Sequence, residues 1–168
     1  MALDMYQAAV PPCVRALTNL AAILRKAQAY TTELKIDPAV LLNARLFPDM
    51  LPLTMQVIIA GETARGGAAR LAAVPVPVFE LEKTTFPELI DATNRSIAYI
   101  ETLTPEQFGG AEDRTVSWTT RTSTKTMQGM PYLFNHVLPN VFFHVTTAYD
   151  ILRHSGLNLG KRDYLGNA

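Results

Sequence analysis

Three histidines are the only imidazole groups of this chain, and all three lie in one C-terminal stretch. His136, His144 and His154 are separated by eight and ten residues. Two histidines that bind one metal ion from a single helix are usually four residues apart, so that both rings leave the same face. On a helix, the observed gaps separate the rings by roughly 12 and 15 Å along the axis. The spacing therefore argues against a metal site built from this segment alone.

His144 is the histidine with the strongest functional potential, because it lies at the margin of an apolar stripe on the predicted last helix. Two interpretations stay open: a structural histidine that packs against carbon, or a ligand-binding residue or general base whose ordinary pKa lies near neutrality. His136, near a helix start, is more simply a packing or capping residue. His154, in the last turn, is more simply a cation that the helix dipole favours.

Other polar and aromatic residues could complete a site with His144. Arg45 and Asp49 flank the turn into the second helix, where a plain interpretation is a cap and a surface ion pair. The sharper interpretation places Asp49 at the mouth of a helical bundle, as an acid or a ligand. The hydroxyl of Tyr149 needs a partner if buried, either a bound ligand or Asp49. Trp118 is expected to cover one end of the bundle, and secondarily to form a pocket wall.

Composition limits the class of protein and its partners. With 168 residues, 48% of them hydrophobic, the chain is predicted to form a single domain over 1–168. Fifteen basic residues balance fifteen acidic ones, so nucleic acid and anionic membranes are not expected as partners. No apolar run approaches the roughly 20 residues that cross a bilayer. A single cysteine, Cys13, and no visible secretory signal suggest the cytoplasm.

Hydrophobic periodicity predicts four amphipathic helices. The first runs from Asp4 to Glu33, and Pro11 and Pro12 should kink it or delay its regular part. The second opens at FPDMLP, where Asp49 can cap it and Pro52 is tolerated in a first turn. It continues through a row of mostly small side chains that would let another helix approach closely: Gln56, Ala60, Ala64, Ala68 and Leu71.

Local signals delimit the remaining elements. Thr85 and Glu88 form a capping box at the start of the third helix. The strings DRTVSWTT and KTMQG then alternate as in a short β-hairpin. The fourth helix should begin near Pro131 or restart at Pro139, with Gly156 as its C-terminal cap. Four helices with one small hairpin before the last predict an all-α bundle.

Three strings resemble the DinB/YfiT-like superfamily, within a bacterial branch of unknown function. They are LLNARLFPDMLPLTMQV, LPNVFFHVTTAYDILRHSG and GKRDYLG, and the resemblance extends over nearly the whole chain. It implies an up-down-down-up four-helix bundle, frequently a homodimer. In better understood members it implies a divalent metal, held by one histidine of the second helix and a histidine pair four residues apart on the last. Some of those members transfer low-molecular-weight thiols.

Most of the metal ligands that the resemblance implies are absent here. His144 matches one of the pair, but Asn140 lies four residues before it and Ala148 four residues after it. The second helix has no histidine, and three other residues lie nearest the expected ligand position: Thr54, Met55 and Gln56. A bound Ni²⁺ or Zn²⁺ on His144 is therefore not expected, unless Asp49 or Glu62 supplies a carboxylate.

Two hypotheses follow. The first is a cytoplasmic DinB-like homodimer that binds a small molecule near His144, with no cofactor and no tightly held metal. Its expected ligand-binding residues are His144, Asn140, Arg45 and Trp118. The second is an enzyme, a thiol-dependent transferase or a metal-assisted hydrolase, that uses His144 with Asp49 or Tyr149.

Overall fold

Four long helices pack around one apolar core in the computed structural model, which describes residues 4–80, 84–120 and 122–166. They are α1 (Met5–Glu33), α3 (Leu53–Leu71), α4 (Phe86–Glu101) and α6 (Leu138–His154), with the short α2 (Pro38–Leu42) before α3. Helices α1 and α3 each pack against both α4 and α6. The prediction of a mostly helical fold is therefore confirmed. No helix in the described part of the chain is long and apolar enough to cross a membrane.

The start of α1 is set by Asp4, whose carboxylate accepts the backbone N–H groups of Tyr6 and Gln7. This cap satisfies donors that have no partner within the helix. Pro11 and Pro12 lie inside α1, several residues after it has begun. The expectation that these prolines delay the regular helix is therefore wrong.

Helix α3 begins at Leu53, with Pro52 rather than Asp49 in the capping position. Asp49 lies four residues earlier and is exposed, so its predicted role as the cap is corrected. The row of small side chains along α3 is buried within the chain itself: Ala60, Ala64 and Ala68. A Cβ atom added to Gly67 would come within 2.6 Å of Val137. Small residues thus allow the close helix contact that the sequence predicted.

The connection from α4 to the last long helix contains a two-stranded antiparallel hairpin. Strands β1 (Thr115–Thr119) and β2 (Thr124–Gln128) pair in a register that places Trp118 opposite Lys125. Val116 and Trp118 are buried while their neighbours in β1 are exposed, as expected for a strand with one face on the core. The hairpin precedes the last helices, as predicted. The capping box of Thr85 and Glu88 at α4 is also confirmed.

A π turn leads into the last long helix, α6. Helix α5 (Gly129–Tyr132) continues into the wider turn Leu133–Val137 and then into α6. Pro139 explains the change in winding, because it has no N–H to donate and its ring would clash with a carbonyl in a regular preceding turn. The Asn140 side-chain amide donates to the backbone carbonyl of His136 at 2.6 Å. The two predicted helix starts are therefore parts of one continuous helical stretch.

The C-terminal segment folds back on the bundle. Gly156 follows α6 with φ of 97°, a conformation that favours glycine, so its predicted role in ending the helix is confirmed. The short helix α7 (Lys161–Leu165) lies against α1. The Asn19 side chain donates to the Tyr164 carbonyl at 2.9 Å, and Lys26 pairs with Asp163 at 2.5 Å.

Candidate functional site

His144 on α6 pairs with Gln56 on α3, and this contact joins two helices across the bundle. The His144 Nδ1 atom lies 2.7 Å from the Gln56 Oε1 atom. The Gln56 side chain is only 1% exposed, and its amide nitrogen donates to the backbone carbonyl of Leu51 at 2.9 Å. Both the nitrogen and the oxygen of the Gln56 amide are therefore hydrogen-bonded. This orients the oxygen toward the imidazole of His144.

This chain of hydrogen bonds determines which nitrogen of His144 carries the proton. An amide oxygen can only accept, so the Nδ1 atom of His144 must donate to Gln56. Burial lowers the pKa of His144, which favours the neutral ring at neutral pH. The Nε2 atom of the neutral ring then keeps its lone pair, and no described residue hydrogen-bonds to it. The half-buried ring therefore offers one oriented hydrogen-bond acceptor.

Several apolar residues that neighbour this pair in the chain are exposed. The Phe143 ring meets the His144 ring edge-on, with centroids 5.4 Å apart, and remains 55% exposed. On the α3 side, Leu51 and Met55 are 41% and 36% exposed, and both are close to Gln56 in the chain. Exposed apolar side chains are a feature of interaction sites where they form a contiguous patch.

His136 lies in a different environment, inside the π turn. Its ring is 4.6 Å from the Trp118 ring and 5.5 Å from the Tyr132 ring, measured between centroids. Burial lowers its pKa, and the positive charges of Lys125 and Arg70 act in the same direction. Trp118 therefore packs at His136 rather than at His144. The expected packing role of His136 agrees with these contacts.

The remaining predicted site residues have other partners. Arg45 is exposed and donates to the backbone carbonyl of Met50. Asn140 bonds to His136, as described above. The half-buried Tyr149 faces the C-terminal segment, where its ring lies 6.2 Å from that of Tyr164. Among the residues that the structure describes, no hydrogen bond joins Asp49 or Tyr149 to His144.

Gln56 and Phe143 are in contact with His144, although the sequence indicates a functional role for neither. In the sequence, Gln56 is notable only as a non-histidine residue near an expected ligand position. Its signal is a lone amide among apolar and small residues on a buried helix face, which requires a polar partner from another element. Phe143 had a weaker signal, an aromatic residue beside the apolar stripe.

The donors around His144 do not fit the Ni²⁺ or Zn²⁺ site that the resemblance implies. Its nearest polar neighbour is an amide, whereas these ions prefer imidazole and thiolate ligands. Within residues 4–80, 84–120 and 122–166, no three histidine, cysteine or acidic side chains converge in a way that could hold an ion. Cys13 is a poor nucleophile or ligand, because burial raises the pKa of its thiol to about 12.

Comparison with known proteins identifies the family. The domain of unknown function DUF1993 matches residues 5–165, nearly the whole chain. The chain is a member of the DUF1993 family. This DUF1993 protein is also similar to a DinB family member protein from Shewanella denitrificans, whose crystal structure superposes with a TM-score of 0.89. The two sequences are 38% identical over 97% of this chain and 92% of the other, which shows DinB family membership as well. No curated protein matches the chain significantly.

Proposed function

We propose that this DUF1993 protein binds a small neutral molecule beside His144, without a tightly held metal. The observation that carries this proposal is the hydrogen-bond chain from His144 through Gln56 to the Leu51 carbonyl. Here the buried glutamine orients the ring and leaves its Nε2 atom as an acceptor.

The surroundings define the chemistry of the ligand. Its polar end would be a hydroxyl, thiol or amide N–H that donates to Nε2. Its apolar body would contact Phe143, Leu51 and Met55, which are all substantially exposed. An anionic ligand is less favoured, because burial keeps His144 neutral and therefore unable to balance a negative charge.

The experiment compares phenol with anisole, two aromatic probes of similar size of which only phenol can donate a hydrogen bond. We expect phenol to shift the His144 imidazole signals in two-dimensional NMR spectra, and anisole to bind at least several-fold more weakly. His144→Ala should abolish the difference between the probes. His154→Ala, an exposed histidine on the same helix, is the matched control and should preserve it. Equal binding of both probes would contradict the proposed role of Nε2.

A second candidate function is catalysis with His144 as a general base. The fixed tautomer and the unprotonated Nε2 atom suit proton abstraction at neutral pH. Asp49 or Tyr149 would have to approach this site when substrate binds. The predicted activities are thiol transfer and metal-assisted hydrolysis. Thermal shift against glutathione, cysteine and other small thiols tests the first, because a ligand at 100 times its Kd adds about 2.7 kcal/mol of stability. The absence of any shift would oppose thiol transfer.

The proposal that no metal is tightly held needs its own measurement. Metal analysis of protein purified without a histidine tag should find far less than one Ni²⁺ or Zn²⁺ per chain. The reason is that amides replace the imidazole ligands expected from the resemblance. A nearly stoichiometric ion that His144→Ala removes would overturn this proposal.

We propose the up-down-down-up order for the four long helices. This order makes the adjacent α3 and α4 parallel, so the chain must return along the bundle between them. Fourteen residues separate Leu71 from Phe86, and they can extend over roughly 46 Å. The 19 residues of α3 span only about 28 Å. Spin-label distances between the helix ends would test this order.

We also propose that the protein is a cytoplasmic homodimer. The exposed side chains Val40, Leu46 and Phe47 offer apolar surface for a second copy. Light scattering on a size-exclusion column would measure the molecular mass in solution. A monomer at micromolar concentration would contradict the dimer.

A further inference from the structure

Two basic side chains from different elements lie beside the ring cluster of His136. Lys125 on β2 is directly opposite Trp118 on β1, so both side chains leave the same face of the hairpin. Arg70, in the last turn of α3, donates to the Tyr132 hydroxyl oxygen at 3.4 Å. The Trp118 and Tyr132 rings both pack against His136. The two cations therefore converge on one end of the bundle.

The positive charge at this end has no acidic partner in the described part of the chain. Neither Arg70 nor Lys125 forms an ion pair with a described residue. Burial lowers the pKa of His136, Lys125 and Arg70 lower it further, and no described carboxylate opposes them. Like charges that are placed together without a counter-ion repel one another. An anion at this position would be attracted by both cations.

The Tyr132 hydroxyl is an independent indication of a ligand. Tyr132 is only 2% exposed, and burial raises the pKa of its hydroxyl, which stays protonated at neutral pH. The hydroxyl oxygen accepts from Arg70, but none of the described residues accepts its proton. Buried polar groups usually have partners for both their donors and their acceptors. An anion beside Arg70 would accept this proton.

The position of the Arg70 guanidinium is determined by α3 itself. A Cβ atom added to Gly66 would come within 2.7 Å of the Arg70 Nη1 atom, so the guanidinium lies back across Gly66. Arg70 is half-buried and is not extended into solvent. A guanidinium that is already positioned loses less conformational entropy when it binds an anion. Arg70 therefore differs from a freely moving surface cation.

His136 adds a further hydrogen-bond donor. The Asn140 amide nitrogen lies 2.6 Å from the His136 carbonyl oxygen and 3.4 Å from the His136 Nδ1 atom. Because an amide N–H group can only donate, Nδ1 accepts and the neutral ring carries its proton on Nε2. No hydrogen bond joins this Nε2–H group to a residue that the structure describes.

We propose that this end of the bundle binds a small phosphate or phosphate monoester through Arg70, Lys125 and the Tyr132 hydroxyl, with His136 beside it. Two cations balance the charge of a dianion, whereas a single carboxylate would leave one of them without a counter-ion. The oxygens of one phosphate group can accept from a guanidinium, an ammonium and a hydroxyl together. A phosphate group can bind these donors at the protein surface, so the site requires no large cavity.

The proposed phosphate site is distinct from the site at His144. His144 follows His136 by eight residues, which is roughly 12 Å along a helix. His144 is hydrogen-bonded to a neutral glutamine, and we expect a neutral ligand there. The two sites therefore differ in the charge of the molecule that they bind.

Titration with inorganic phosphate, at an ionic strength held constant with sodium chloride, tests the proposal. We expect saturable shifts of the His136 imidazole signals in two-dimensional NMR spectra. The pKa of His136 should rise in saturating phosphate, because a nearby negative charge favours the protonated ring. Methyl phosphate, a dianionic monoester, should bind similarly. Dimethyl phosphate, a monoanion that resembles the diesters of nucleic acids and phospholipids, should bind several-fold more weakly.

Two variants with matched controls test the residues of the site. Lys125→Gln should weaken phosphate binding several-fold, whereas Lys161→Gln, which removes an exposed lysine of α7, makes the same change in net charge and should not. Gly66→Ala displaces the guanidinium without removing any charge and should also weaken binding several-fold. Gly61→Ala is its control, because the added Cβ atom would approach Ser96 instead. Both alanine variants should fold, because alanine favours helices more than glycine does.

Several outcomes would overturn the proposal. The first is the absence of saturable His136 shifts in the wild-type protein. The second is an equal loss of binding in Lys125→Gln and Lys161→Gln, which would indicate non-specific attraction to net charge. The third is unchanged phosphate binding to a folded Gly66→Ala variant. Equal binding of dimethyl phosphate would show that the site does not prefer dianions and would overturn the assignment to monoesters.

Discussion

His136 and His144 are eight residues apart on one helical stretch, and burial lowers the pKa of both. Their neighbours differ greatly. His136 is stacked among Trp118 and Tyr132, and its Nδ1 atom lies 3.4 Å from the Asn140 amide nitrogen. His144 has one oriented partner, Gln56, and partly exposed apolar neighbours. A lowered pKa therefore does not by itself mark a binding candidate, because burial produces it inside an aromatic stack as well as beside exposed apolar residues.

The largest effect is expected at the His136 end. Trp118→Ala removes a buried ring that packs against both Tyr132 and His136, and should lower the free energy of unfolding by about 3 kcal/mol. Urea denaturation at pH 7.5 measures this loss. Phenol binding at His144 should survive under conditions where the variant is folded. A loss below about 0.5 kcal/mol is typical of surface substitutions. It would mean that the contacts of Trp118 with Tyr132 and His136 do not stabilise the fold.

A smaller loss of stability is expected at the His144 end. Gln56→Leu leaves the His144 Nδ1–H group and the Leu51 carbonyl without their partner, at a cost of roughly 1 to 3 kcal/mol. It should also release the tautomer of His144, which ¹⁵N NMR of the imidazole reports directly. Gln56→Glu is the informative companion, because a carboxylate would raise the pKa of His144. An unchanged tautomer in Gln56→Leu would contradict the proposed orientation.

The pH dependence of stability should report the lowered pKa values of the two half-buried histidines, His136 and His144. Their pKa values are lowered in the folded state, so below about pH 6.5 the unfolded chain binds more protons. The free energy of unfolding should therefore fall as the pH decreases from 7.5 to 5. His144→Gln should reduce this dependence. A His144→Gln profile parallel to that of the wild-type protein would contradict the lowered pKa of His144.

The smallest effect on stability is expected for Phe143→Ala. The ring is 55% exposed, so its removal should change the free energy of unfolding by less than about 0.5 kcal/mol. Phenol binding should nevertheless weaken several-fold, because an apolar wall of the proposed site is lost. This pattern is the reverse of that expected for Trp118→Ala. A Phe143→Ala variant that binds phenol normally would remove Phe143 from the site.

Much of the fold was predictable because its signals are local. The capping box of Thr85 and Glu88 and the position of Gly156 depend on a few adjacent residues, and the structure confirms both. The start of α3 was predicted less well. Asp49 is a good capping residue by type, but Pro52 occupies the capping position instead. The capping preference of Asp49 was outweighed because the helix begins three residues later than this preference predicts, after Pro52.

The candidate sites were less predictable, because their partners come from distant parts of the chain. Gln56 and His144 are 88 positions apart. Helical periodicity indicates which face of a helix is buried, but not which polar groups meet there. His144 emerged from its position at the margin of a stripe and from the family resemblance. The role of Gln56 as its partner becomes apparent only in the packed helices.

The π turn at Leu133–Val137 has a consequence for how this protein can evolve. A π turn contains one residue more than the α turn it replaces, so the helix beyond it is rotated by about 100°. Loss of one codon here could restore a regular helix. Either the part of the helix that packs against Trp118 or the part that carries His144 would then have to rotate. Point mutations change one contact at a time, whereas a single insertion or deletion at this turn would exchange the whole set of side chains that α6 presents to α3.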